Sequence, residues 1–166
     1  MNTCGLCLQS RELRESHILP AFVIRWLKET SGTGFIRFGQ EPNRRVQDGM
    51  KLRLLCGDCE QHIAKYEQSF AENLFHPLTD EHQSPFYPRC YGEWMALFAA
   101  SVSWRTLLAL KKMRALERLS LSQKDLDSVP QALEKWRQFI HGGNGAPGLH
   151  DLHFISLGLI QELVGP

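Results

Sequence analysis

A chain of 166 residues, 43% hydrophobic and 22% charged, has the make-up of a globular protein with one sizeable core, which excludes a wholly disordered or fibrous chain. Its net charge of +1 excludes a uniformly basic coat for nucleic acid and leaves room for a local basic face. The longest apolar stretch, Trp94 to Trp104, is too short to cross a bilayer and Met1 leads straight into a cysteine pair, so a soluble, cytoplasmic protein with no membrane partner is expected.

In chain order, residues 1–10 read as a knuckle around Cys4-Gly5-Leu6-Cys7. Pro20 opens a helix over 21–29 that places Phe22, Ile24, Trp26 and Leu27 near helical spacing, and Gly32 and Gly34 end it. Phe35 to Phe38 reads as a short strand and Glu41 to Arg45 as a turn or loop. Asp48-Gly49 is a hairpin-turn signal ahead of a strand over 50–55. A second knuckle, Cys56-Gly57-Asp58-Cys59, then enters a helix from Glu60 to about Phe75. Three prolines make 76–90 a connecting loop. From Glu93 to about Leu119 a long helix carries Trp94, Leu97, Phe98, Ser101, Trp104 and Leu108 on one stripe. A shorter helix follows over 130–141, ended by the glycines from Gly142 to Gly145, and the apolar tail over 153–160 reads as a strand. No repeat or low-complexity segment appears.

Four of the five cysteines form two Cys-x-x-Cys pairs, and Cys90 stands alone as a small buried hydrophobe. Paired thiols in a reducing compartment read as metal ligands or redox centres. A redox centre would explain one pair and leave the other over. One tetrahedral zinc shared by Cys4, Cys7, Cys56 and Cys59 explains both, because the small residues inside each pair let the backbone curl until both sulfurs meet one ion. Four thiolates close the coordination sphere, so that zinc is structural. The 48 residues between Cys7 and Cys56 exceed a simple zinc ribbon, but loop closure costs little more for a long loop than for a short one.

Between the pairs lies Glu15-Ser16-His17-Ile18-Leu19-Pro20. The order Cys-x-x-Cys, His-Ile-x-Pro, Asn, then Leu-Leu-Cys-x-x-Cys entering a helix resembles the HNH endonucleases of the ββα-metal group over roughly residues 4–70. The resemblance implies a zinc-stapled ββα-metal-like subdomain over 1–75 and says nothing of 76–166. There the periodicity alone predicts a helical region with a terminal strand, so that the whole is expected to be α+β and mostly helical. It implies His17 as the general base, Asn43 as the residue that orients it, and a catalytic Mg²⁺ or Mn²⁺. Where the family places an aspartate before the base, this chain has Ser16. Where it places a final histidine after the last cysteine, this chain has Glu60, a carboxylate suited to a hard cation, and His62 is a second replacement ligand.

Taken by itself each of these side chains also has a plain reading. A lone histidine on a strand is more often packed than catalytic, and His62 with Tyr66 one turn on suits a helix surface. Glu60 and Glu67, seven apart, share a helical face, as a metal site or a solvated stripe would. Around the end of the long helix, Arg105, Lys111, Lys112, Arg114 and Arg118 face only Glu117. Of these Arg105, Lys111 and Lys112, with Arg44 and Arg45 in the loop, are the expected phosphate contacts. Two functions follow. One is a divalent-metal-dependent nuclease, which the resemblance links to bacterial DNA processing or phage defence. The other is a non-catalytic zinc module that binds nucleic acid or a protein partner.

Overall fold

The computed structural model describes residues 2–38, 41–79, 92–142 and 147. The sequence-based readings for most of 80–91 and for the tail strand at 153–160, with Cys90, fall outside them.

Over the described residues the chain is α+β and mostly helical, with three two-stranded antiparallel sheets. In the first, β1 (Asn2–Thr3) pairs with β2 (Ser10–Arg11) across the first knuckle. In the second, β3 (Leu13–His17) pairs with β6 (Lys51–Cys56), setting His17 opposite Lys51 and Leu13 opposite Cys56. The register slips between Arg14 and Glu15, and Leu54 is left without a partner on β3. That bulge has two effects. It lets Leu54, Leu55 and Cys56 all be buried in a strand that would otherwise alternate, and the carbonyl of Leu54 is left to accept the knuckle N–H of Gly5 at 2.9 Å. A Cβ on Gly5 would lie 3.0 Å from the Leu108 side chain, so glycine there permits the close approach.

Between β3 and β6 the chain makes an excursion through α1 (Ala21–Thr30) and the third sheet, β4 (Ile36–Phe38) with β5 (Glu41–Val46). Two sequence-based expectations change here. Residues 41–45, expected as a turn, are strand, because Ile36 opposite Val46 and Phe38 opposite Glu41 give them a partner. Asp48-Gly49, expected to turn a hairpin, instead joins strands of two different sheets. Glycine is needed at 49 for space: a Cβ there would come within 2.8 Å of Ile24.

From Cys56 the chain runs into α2 (Gly57–Phe70), a π-helical stretch (Ala71–Phe75) and α3 (His76–Thr79), so the start of the expected loop is helical. The long helix α4 (Glu93–Lys112) stops before the expected Leu119. Arg114 turns left-handed, φ 54°, and a 3₁₀ turn covers Ala115–Arg118. The last helix, α5 (Gln123–Gly142), starts well before Pro130. Its start is a reciprocal cap, in which the Asp125 N–H donates to Ser122 Oγ and the Ser122 N–H to Asp125 Oδ2.

One core runs through both parts of the chain. Leu6, Leu54, Leu55 and Ile63 pack with Ala100, Trp104, Leu133 and Ile140, and a satellite cluster stacks Phe70 on Phe98 at 3.8 Å, with Phe22 and Phe75 beside them. The stripe from Trp94 to Leu108 is buried or half-buried, as its spacing predicts. No helix among the described residues is long and apolar enough to cross a membrane.

Candidate metal centre and the adjoining histidine

The turn between β1 and β2, the end of β6 and the first turn of α2 bring Cys4, Cys7, Cys56 and Cys59 together, with all four Sγ atoms within 4.8 Å of one another. Thiolates placed tetrahedrally around zinc lie about 3.8 Å apart. The Cys7 and Cys56 sulfurs are 3.9 Å apart, and none of the four is in a disulfide. The donor set therefore fits a tetrahedral ion of zinc type.

Electrostatics agree with that reading. Burial pushes the Cys4 thiol up, but backbone N–H groups of Cys56, Cys7 and Leu6 outweigh it and bring Cys4 down to about 7. The Cys56 N–H reaches Cys4 Sγ at 3.4 Å. Burial first, then the neighbouring thiols, push Cys59 well above its usual range, and burial also raises Cys7. Such a cluster cannot hold four negative charges alone; a divalent cation at its centre would compensate them. The first knuckle is tied from outside as well. Arg11 pairs with Asp58, and Arg137 of α5, itself paired with Glu134, donates to the Leu6 carbonyl at 3.0 Å. A cleft lined by Cys7, Arg11, Asp58, Cys59, His62 and His141 runs along this edge.

At the other end of the β3–β6 ribbon stands His17. Its Nε2 lies 2.9 Å from Asp48 Oδ1. Asp48 also takes Lys51 Nζ at 2.6 Å and the Gly49 N–H at 2.8 Å. Lys51 first, then His17 and the Gly49 amide, hold its carboxyl far below the ordinary aspartate range. Beside this pair, the fully buried Ser16 donates its hydroxyl to Glu60 Oε1 in the first turn of α2. The two positions where this chain departs from the HNH pattern are thus in direct contact.

The structure separates the remaining residues singled out from the sequence. Asn43 is exposed on β5 and makes no hydrogen bond to His17; Asp48 does. His62 lies two residues from Glu60, on the opposite side of α2. Its Nε2 meets the Ile140 carbonyl at 2.8 Å and Tyr66 Oη at 3.1 Å, so it faces α5 and the thiols rather than His17. Arg44 and Arg45 are exposed on β5, with Arg44 paired to Glu41 and Arg45 over the Phe35 ring, and Lys111 and Lys112 are exposed at the end of α4. Arg105, expected to face water and phosphate, is only 2% exposed. It is turned inward by Glu67 and by the His17 carbonyl. Sequence reasoning missed Asp48 as a functional partner. No local signal marked it, because the contact depends on the strand pairing that sets Lys51 opposite His17.

Among the described residues, the four-cysteine cluster is the only group of three or more His, Cys, Asp or Glu placed to hold a metal ion. In comparisons with known proteins, no family model, no curated protein and no solved structure matches this chain.

Proposed function

We propose that this chain is an HNH-like, divalent-metal-dependent endonuclease in which Cys4, Cys7, Cys56 and Cys59 hold one structural zinc and His17 is the general base. The observation that carries it is the His17–Asp48 contact on the ribbon that leads into α2. An ionised carboxylate only accepts, so Asp48 keeps the proton on Nε2 and leaves the Nδ1 lone pair of the neutral ring free to take a proton from water. Asp48 thereby fills the orienting role that the resemblance gave to Asn43. Glu60 is the protein ligand for Mg²⁺ or Mn²⁺, which needs only one or two carboxylates beside waters and substrate phosphate. When bound, such an ion would supply stabilisation of negative charge on the phosphate. The exposed cations for the nucleic-acid backbone are Arg44, Arg45, Lys111 and Lys112. The setting is bacterial DNA processing or phage defence, inside the cytoplasm.

The test is cleavage of plasmid and oligonucleotide substrates, DNA and RNA, with Mg²⁺ or Mn²⁺. His17→Ala should lower the rate by about two to four orders of magnitude while zinc content and melting temperature stay at wild-type values. Wild-type protein that cuts none of these substrates would refute the nuclease.

One observation favours a second reading. Ser16 stands where the pattern has an acidic ligand, and Glu60 is left to act with a serine instead of a second carboxylate. A zinc-stapled module of the same ancestry that binds nucleic acid or a protein without cutting would show this. Salt-dependent binding of DNA or RNA without cleavage is its signature.

A further inference from the structure

Arg105 occupies a place that its sequence context does not announce. It sits in the middle of a helix otherwise lined by Phe98, Ser101, Trp104 and Ala109, and its side chain is 3% exposed. Each of its three guanidinium nitrogens makes a contact. Nε reaches the Ser101 carbonyl one turn back at 3.4 Å, one terminal nitrogen pairs with Glu67 of α2, and the other donates to the His17 carbonyl at 3.0 Å. Burying a cation and a carboxylate is costly, and apolar residues of similar volume commonly serve stability as well or better. The pair therefore asks for an explanation beyond packing.

We infer that Arg105 is a positioning residue for His17, which makes α4 a working part of the site. The inference rests on reading His17 as the base. His17 closes β3, where strand pairing ends, and two contacts hold it there. Asp48 holds the ring, and Arg105 holds the backbone carbonyl. Glu67 aims the guanidinium, and Glu67 stands two helical turns from Glu60, which meets Ser16. One face of α2 thus addresses both Ser16 and, through Arg105, His17. A backbone fixed on one side and a ring fixed on the other leave the free ring nitrogen one direction to point in. Catalytic rates are sensitive to such placement at the level of about 1 Å.

The full-length, zinc-loaded protein is compared with Arg105→Lys and Glu67→Gln. Long-range ¹H–¹⁵N spectra of the imidazole rings report the tautomer of each histidine, and the His17 signals are identified by their loss in His17→Ala. In both variants the His17 signals should move away from the pure Nε2–H pattern, while those of His62, held by the Ile140 carbonyl, stay in place. The kcat should fall on the order of tenfold to a hundredfold with KM unchanged. His17 ring signals that coincide with wild type in the folded variants would overturn the assignment. If Arg105→Lys loses its zinc, Glu67→Gln decides by the same criterion. If the wild type cleaves nothing, the nuclease reading falls, and the ring spectra still judge whether Arg105 sets His17.

Discussion

Asp48 works in both directions at once, as the anchor of His17 and as the counter-charge of Lys51. Its folded-state pKa lies below the unfolded value of about 3.9, so its contribution to stability is present above that value and is lost only as pH falls toward the folded one. Asp48→Asn should therefore be less stable than wild type by an amount that stays level from pH 8 down to about 5, read as the difference in urea midpoints. A gap that closes between pH 7 and 5 would show that another titrating group carries it. The four residues of the candidate metal centre were legible because thiols are rare and their spacing is chemically restrictive. Asp48 was not, since it meets His17 only through the pairing of two strands 31 residues apart in that contact. Arg105 was not legible either: a cation on a helix is normally solvated, and nothing local says that a carboxylate and a strand carbonyl will surround it.

Helix existence followed from periodicity, but helix ends and one strand did not. Glu41 to Arg45, with Pro42 and Asn43, has turn composition, and only pairing with β4 makes it extended. Pro130 resembles a helix start, yet the cap at Ser122 and Asp125 wins a full two turns earlier. At the end of α4 no glycine marks the stop; Arg114 takes the left-handed turn itself. An L-residue other than glycine adopts that conformation at a cost of roughly 1–2 kcal/mol. Arg114→Gly should therefore stabilise the protein by about 1 kcal/mol, after the small loss of the exposed pair with Glu117. Chemical denaturation checks this, and a variant no more stable than wild type would mean that the turn is not strained.

At the scale of the molecule, the ribbon, the metal centre and the two long helices share one core, with Leu6 and Trp104 both fully buried in it. Removing a ligand should accordingly destabilise more than the knuckles. Cys56→Ser should abolish zinc binding, against one zinc per chain in the wild type, and lower the melting of 1–75 and 92–142 together in a single transition. Two separate transitions, with the helical part unaffected, would contradict a shared core. The order of assembly follows from how far apart the partners are in the chain. During synthesis at about 5–20 residues per second, the first cysteine pair waits roughly 2 to 10 s for the second, across the intervening 48 residues. The Leu6 carbonyl waits longer still for Arg137, 131 positions away. A newborn chain therefore carries its first two thiols unpartnered while those 48 residues are made, and the outer tie on the first knuckle closes only once Arg137 has emerged.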